Sequence, residues 1–322
     1  MRVALLGLGG IAPRHVEAIK SLGHDLVADV GRDPARTRVF ADQHGGEPFV
    51  DLDAMIDRAA PDLLIATLPP FARDGEIEHA ASRGVHLLVE KPIALEMAAA
   101  DAMTAAVQRA GVVGAVGFMY RHGDAVKAWR VADTGPAALY AGAYHCNALH
   151  APWWREQAKS GGQMLEQVIH QIDLVRHLMG DPDTVYARRA NMFHGSVEGY
   201  DIEDVSAIMF GWDDGRIATL NASNAATPGV WHKEWQIYAE RITGRFSSWS
   251  EAVMTPTAPD ASPISIASDR DPFAAQLADV VQAIDLRGEP LVTMRDATDT
   301  LRLALAARRS ADEGREIRMS DA

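Results

Sequence analysis

The sequence predicts an α/β domain on a parallel sheet followed by an α+β domain on an open, largely antiparallel sheet. Three observations carry that reading. Over the first 120 residues short apolar runs alternate with helical patterns; a glycine-rich string, GLGGIA at 7–12, separates the first run from the first helix; and beyond residue 120 longer runs of alternating apolar and polar positions take over. A length of 322 residues suits two domains, and the change of rhythm divides them into 1–120 and 121–322.

Val3 to Leu6, Leu26 to Val30, Leu63 to Thr67, Val85 to Val89 and Val112 to Phe118 read as the parallel strands. Between the first two, Ile11, His15, Val16, Ile19 and Leu22 recur at helical spacing, and Asp33-Pro34 reads as an N-cap with proline at the first helical position. Further strands are expected at about 139–146, 184–192, 204–212, 216–223 and 231–240, with Asp214-Gly215 as a hairpin turn. In the last of these Trp231, Lys233, Trp235 and Ile237 alternate with His232, Glu234, Gln236 and Tyr238. After the breaker pair Gly161-Gly162, the residues Leu165, Val168, Ile169, Ile172, Val175 and Met179 keep one helical face. Helices at about 273–287 and 295–312 close the chain, and the three prolines between Thr255 and Pro263 mark a surface loop.

Composition excludes several function classes. Lys and Arg number 31 against 44 Asp and Glu, a net charge of −13 that repels polyanions, so no nucleic acid partner is expected. No stretch approaches the roughly 18 consecutive apolar residues of a membrane span, so no membrane partner is expected. Cys146 is the only cysteine, which rules out an intrachain disulfide or a thiolate metal cluster and suits a reducing, cytoplasmic setting. The N-terminus leads straight into a strand with no secretory pattern.

GLGGIA fits G-x-G-x-x-A and stands where a nucleotide turn must stand, between strand and helix. Gly7 allows the tight turn, Gly9 lets the backbone approach a pyrophosphate, Ala12 permits close helix packing, and Gly10 and Ile11 open the helix whose N–H groups face the phosphates. An NAD-preferring site places Asp or Glu at the end of the second strand. Here that position is Gly31, followed by Arg32, and Arg32 with Arg36 suits a 2′-phosphate, so NADP is the preferred cofactor with NAD as the alternative. Asp29 and Asp33 are the nearby acids that would restore NAD binding if the strand ended two residues away.

These features, with TLPP at 67–70, EKP at 90–92, GFMYRH at 117–122 and SGGQMLEQVIHQID at 160–173, resemble the Gfo/Idh/MocA oxidoreductases, the family of glucose-fructose oxidoreductase and inositol dehydrogenases. The resemblance covers most of the chain. It implies a Rossmann dinucleotide-binding domain, a homodimer or homotetramer formed through the exposed face of the second sheet, and hydride transfer between nicotinamide and a carbinol carbon. It also implies that Thr67, Leu68, Pro69, Pro70, Glu90 and Lys91 help to hold the cofactor, and that Lys91 and His170 flank the reacting hydroxyl. Chemistry supports both roles: a lysine at the carboxyl end of a parallel strand can stabilise an alkoxide, and histidine exchanges protons near neutrality.

Helical spacing puts Glu166, His170 and Asp173 in one row. Relatives commonly carry Asp where Glu166 stands, so Glu166 is read as orienting His170, and Gln163 departs from a common third glycine. A metal held by Glu166 and His170 finds no third ligand at a recognised spacing, so no metal is expected. His150-Ala151-Pro152-Trp153-Trp154-Arg155 offers aromatics and an arginine for a sugar ring, making Trp153, Trp154 and Arg155 substrate candidates beside Tyr120 and Arg121. The reading is an NAD(P)-dependent oxidoreductase, NADP preferred, acting on a sugar, cyclitol or related polyhydroxy substrate. Two alternatives share the fold: an NAD-dependent glycosidase working by transient oxidation, and a non-catalytic sugar or nucleotide sensor.

Overall fold

The computed structural model describes residues 1–147, 149 and 151–321. Along the first part of the chain run β1 (Arg2–Leu6), α1 (Ala12–Ser21), β2 (Asp25–Val30), α2 (Pro34–His44), β3 (Glu47–Phe49), α3 (Leu52–Ala59), β4 (Leu63–Ala66), α4 (Glu76–Ser82), β5 (His86–Val89), α5 (Met97–Ala110) and β6 (Gly114–Val116). Next come α6 (Asp124–Val131), β7 (Ala137–His145), α7 (Gln157–Ser160), α8 (Gln163–Glu166), α9 (Ile169–Met179), β8 (Thr184–Ala190), β9 (Val205–Gly211) and β10 (Ile217–Ser223). The chain closes with β11 (His232–Ala239), β12 (Ile242–Phe246), β13 (Glu251–Pro256), β14 (Ile264–Ala267), α10 (Pro272–Leu286), α11 (Met294–Glu313) and β15 (Ile317–Arg318). Two compact units result, one of Met1–Met119 with Asp271–Thr298, the other of Tyr120–Arg270 with Asp299–Ala322.

The first unit is a six-stranded parallel sheet in the order β3-β2-β1-β4-β5-β6, the doubly wound order in which the strand sequence reverses beside β1. Its strands are apolar on both faces because helices cover both: Leu63, Leu64, Ile65 and Ala66 of β4 are all fully buried. Sequence reading placed all of 121–322 in the second domain, and here the structure differs. α10 belongs to the first unit, where Phe273, Leu277 and Val280 join one core with Val3, Leu5, Val16 and Ile19. Helical periodicity shows that α10 has an apolar face but not which sheet it covers.

The second unit holds nine strands in the order β14-β13-β12-β11-β7-β10-β9-β8-β15, antiparallel throughout except for the β7–β10 pair. Asp214-Gly215 does turn β9 into β10. Strands β12 to β15 went unrecognised in the sequence: β12 carries Gly244 and Arg245, β14 is an exposed edge of four residues, and β15 has only two. One face of the sheet is core, with Tyr140, Phe210, Leu220, Trp235 and Ile237 buried. The opposite face leaves Met209, Ile217, Tyr238 and Val253 exposed, and a shallow cavity of about 580 Å³ on this sheet is lined by Val253 with Glu234, Arg245 and Glu251 among others. Among the described residues no helix is long and apolar enough to cross a membrane.

Candidate active site

At the carboxyl end of the parallel sheet β1 turns sharply into α1. Gly7 has φ +91°, and a Cβ there would lie 2.9 Å from the Leu68 nitrogen, so only glycine fits. Thr67 Oγ1 donates to the Gly7 carbonyl at 2.6 Å, which ties the TLPP segment to the turn. At Gly9 and Gly10 an added Cβ would meet nothing within 4 Å; the backbone there faces open space. No side chain caps the first turn of α1, whose N-cap is Ile11, while Ala12 is fully buried. A cavity of about 540 Å³ opens beside this turn, lined by Gly7, Gly9, Gly31, Arg32, Arg36 and Leu68 among others. Open backbone, an uncapped helix start and a cavity of ordinary ligand size fit a bound dinucleotide.

Gly31 is enforced by its neighbour. Thr37 Oγ1 donates to the Asp33 carbonyl at 2.8 Å and occupies the space that a side chain at residue 31 would need. Of the two acids that would favour NAD, one is engaged as a helix cap and the other is buried. Asp33 caps α2, accepting from the Ala35 and Arg36 N–H groups at 2.9 and 3.1 Å, and Asp29 is fully buried beside Gly46, where burial pushes its carboxyl up to about 7. Arg32 and Arg36 are exposed at the cavity's edge.

After β5 the chain presents Glu90, Lys91 and Pro92. Glu90 is buried, with Oε1 2.8 Å from His15 Nε2 and Oε2 accepting the Lys91 N–H at 3.2 Å. Burial opposes charge on Glu90, but the hydrogen bond and charge of His15, with Lys91, outweigh it and hold the carboxyl below its ordinary value. Arg73, absent from the sequence reading, clamps the loop. Its guanidinium donates to the carbonyls of Leu68 (3.1 and 2.9 Å), Glu90 (2.7 Å), Pro92 (2.6 Å) and Ile93 (2.8 Å), joining the TLPP and EKP segments. Burial lowers that guanidinium to about 10. In a sequence such an arginine is indistinguishable from a solvated one.

In the second unit the expected single helix is two. Val168 N–H bonds the Gln163 carbonyl at 3.0 Å, an i to i−5 step that widens the turn, ends α8 and restarts the helix as α9. Glu166 closes α8 while His170 and Asp173 lie in α9, so the expected acid, imidazole and acid do not share one straight row. Both are nearly buried, at 4% and 8% exposed. Glu203 holds the start of α8, accepting the Met164 N–H at 2.9 Å through Oε1 and Arg189 Nη1 at 3.0 Å through Oε2. Gly162, with φ +94°, leaves room for that carboxylate, 2.8 Å from where a Cβ would stand.

Asp173 and Arg121 form a buried bidentate pair, Nε to Oδ2 at 2.8 Å and Nη2 to Oδ1 at 2.6 Å, and Thr300 Oγ1 adds a bond of 3.1 Å to Oδ1. Arg121, expected at the substrate, is at 4% exposure the internal anchor of α9 instead. Tyr120, also a substrate candidate, is buried flat against His170, ring centroids 4.4 Å apart and planes 10° from parallel, and on its other side packs Trp249 at 4.6 Å. Trp153 and Trp154 meet edge to face at 5.8 Å, and Trp154 meets Trp231 at 6.5 Å. Arg155 turns back onto its own loop, donating through Nε and Nη2 to the Leu149 carbonyl, and His150 lies outside the described residues.

The residue that sequence reasoning missed here is Lys233. Its Nζ lies 4.7 Å from the ring centre of Trp231, 5.2 Å from Tyr144 and 5.8 Å from Trp249. The signal was present: Lys233 is the one charged member of the apolar series Trp231, Lys233, Trp235, Ile237. Cys146 is fully buried nearby, its thiol pushed up to about 12 by burial, with Lys233 opposing and Glu166 reinforcing. Among the described residues no three His, Cys, Asp or Glu side chains form a group able to hold a metal ion.

Comparison with known proteins gives a consistent family. A profile described as the GFO/IDH/MocA oxidoreductase family, NAD-binding Rossmann fold, matches residues 1–118, and the GFO/IDH/MocA C-terminal domain profile matches 133–243. A 2,7-anhydro-N-acetylneuraminate hydratase of Mediterraneibacter gnavus is 26% identical over 204 residues, 60% of this chain and 54% of that protein, so this match spans about half the relative's length. A myo-inositol 2-dehydrogenase of Thermotoga maritima is 22% identical over 100% of this chain and 99% of its own. A levoglucosan dehydrogenase solved with NADH and levoglucosan shares the fold, with a TM-score of 0.90 at 18% identity over 99% of both chains. With family profiles matching in succession over residues 1–118 and 133–243, the chain belongs to the GFO/IDH/MocA oxidoreductase family.

Proposed function

We propose that this chain is an NADP(H)-preferring dehydrogenase or reductase of a sugar, cyclitol or related polyhydroxy substrate. The observation that carries the reading is the anchoring of Lys91: its loop takes three hydrogen bonds from Arg73, which gives two more to Leu68 of the TLPP segment beside the nucleotide turn, and its backbone N–H is fixed by Glu90. The cofactor is assigned to Gly7, Gly9, Gly10, Ile11 and Ala12, with Thr67, Leu68, Pro69, Pro70 and Glu90 beside them and Arg32 and Arg36 toward a 2′-phosphate. When bound, nicotinamide supplies the hydride acceptor or donor. Lys91 donates to the substrate oxygen and stabilises charge developing on it. His170 takes the hydroxyl proton as the carbinol is oxidised and returns it in the opposite direction; Tyr120 fixes the imidazole plane and Glu166 orients it. Trp153 and Trp154 offer ring faces to a sugar.

The test is Lys91→Ala. It is expected to leave cofactor affinity, read by nucleotide fluorescence, near that of the unaltered protein and to abolish turnover; unaltered turnover would overturn the assignment. The exposed face of the second sheet, with Met209, Ile217, Tyr238 and Val253, is the surface we assign to a homodimer or homotetramer, and the single buried thiol suits the reducing cytoplasm. A second reading is favoured by the hydratase among the relatives: redox-neutral chemistry in which the cofactor ends each cycle unchanged. Turnover of substrate without net nicotinamide reduction would select it.

A further inference from the structure

The imidazole of His15 occupies a position on α1 that an apolar side chain would ordinarily fill. α1 buries Ala12, His15, Val16, Ala18 and Ile19, and His15 is only 1% exposed. A polar group so placed is costly unless it is hydrogen-bonded. Its partner is Glu90, whose Oε1 lies 2.8 Å from His15 Nε2. The Glu90 carboxyl, held below its ordinary value in spite of burial, is ionised at neutral pH, so both its oxygens only accept and His15 Nε2 donates. The two oxygens do different work: Oε1 takes the imidazole and Oε2 takes the backbone N–H of Lys91 at 3.2 Å. Two further segments of the first unit shape this seat. A Cβ at Gly117, just after β6, would stand 3.1 Å from Oε1 and 3.0 Å from Oε2, so glycine leaves the carboxylate its room. Phe273 of α10 meets the His15 ring edge to face at 5.3 Å. Leucine at residue 15 would meet the packing need of α1; a donor is required there because of Glu90, and Glu90 adjoins Lys91.

We infer that His15 is a positioning residue for the reaction, acting through Glu90 to fix the backbone from which Lys91 reaches the substrate oxygen, an inference that rests on reading Lys91 as the donor to that oxygen. Arg73 fixes carbonyls on either side of Lys91, those of Glu90 and Pro92, while His15 and Glu90 fix its N–H, so the peptide groups around the lysine are held through both donor and acceptor. α1 is also the helix whose first turn is assigned to the cofactor, and one turn separates Ala12 from His15. His15 thereby sets Lys91 against the same rigid element that receives the cofactor. A misplacement of about 1 Å in such an arrangement costs about a hundredfold in rate. Glutamine at residue 15 brings an N–H donor to the place of the imidazole Nε2, whereas leucine fills the space without one.

The experiment is amide hydrogen exchange in the full chain, read by NMR after labelling with isotopic lysine. The lysines are Lys20, Lys91, Lys127, Lys159 and Lys233, so each gives one backbone signal, and Lys91→Arg identifies that of Lys91. His15→Leu is expected to speed exchange at Lys91 about tenfold or more, while Lys20, in the last turn of α1, changes no more than the loss of global stability in urea accounts for. His15→Gln is expected to keep Lys91 within about threefold of the parent. Turnover is followed in the same proteins with aldoses, inositols and sugar acids and with NADP or NAD. His15→Leu is expected to lower kcat about a hundredfold with the KM for cofactor near that of the parent, and His15→Gln to restore most of kcat. Should His15→Leu fail to fold, His15→Phe, which keeps a ring beside Phe273, carries the same comparison. Unchanged exchange at Lys91, a rise shared equally with Lys20, or an unchanged kcat overturns the inference. A rise confined to Lys91 in a protein whose parent turns over no member of the panel contradicts the dehydrogenase reading alone and leaves the hold of His15 on Lys91 standing. Turnover with Lys91 exchange unchanged contradicts the role of His15 alone.

Discussion

Asp29 is a carboxyl group with no solvent exposure and no hydrogen-bond partner for either oxygen among the described residues. Its folded value of about 7 lies above the roughly 3.9 of an unfolded chain, so between those pH values the native state holds a proton that the unfolded state releases. Stability from this group is full below about pH 4, falls as pH rises to about 7, and is level beyond, a total of at most about 4 kcal/mol. Asp29→Asn removes the dependence: melting temperatures of variant and parent should diverge from about pH 4 to 7 in the variant's favour and stay apart above that, and parallel profiles would contradict the burial argument. Arg32 is the other decisive single residue. Arg32→Ala is expected to weaken NADPH binding at least tenfold more than NADH binding, a difference of about 1.4 kcal/mol, and equal losses would mean that the 2′-phosphate is not held there. Among single residues, those whose role follows from the chain itself were legible: Gly7 and Ala12 do what strand, turn and helix require. Arg73, Glu203 and Lys233 were not, because their roles depend on backbone or rings from distant segments that no local pattern reports.

Helix α9 shows what an element's sequence carries and what it conceals. Apolar spacing from Leu165 to Met179 correctly signals helix, but every residue from Gln163 to Val175 is buried, so the pattern has no polar face to expose a break. The i to i−5 bond at Val168 separates α8 from α9 and gives Glu166 and His170 different supports: Glu203 steadies the first, Tyr120 the second. Behind them the Arg121–Asp173 pair is at most 5% exposed on either side chain. Removing one partner strands a buried charge, so Asp173→Ala is expected to cost about 3–5 kcal/mol in urea unfolding. A loss below about 1 kcal/mol would show that the pair is hydrated rather than dry. Another helix, α10, lies between β14 and β15 of the second sheet in sequence yet packs against α1, an address its periodicity does not carry.

At the scale of the molecule, the parallel and antiparallel sheets were both legible, the first from its strand and helix alternation and the second from its period of two. The number of strands in the second was not, because β12 bears a glycine, β14 is an exposed edge of four residues, β15 has only two, and β13 runs to Pro256, into the stretch that reads as a proline-marked loop. Their cumulative effect is a nine-stranded sheet wide enough to present one core face and one free face. The division of labour follows: a nucleotide turn with its clamped lysine loop in the first unit, and an imidazole among aromatic rings in the second. The measurement that tests this most directly is nicotinamide absorbance during incubation with aldoses, inositols and sugar acids, run in parallel with NADP and NAD. Reduction with at least one polyol, faster with NADP, is the expected result; no change with any of them, in protein that still binds the cofactor, would contradict it.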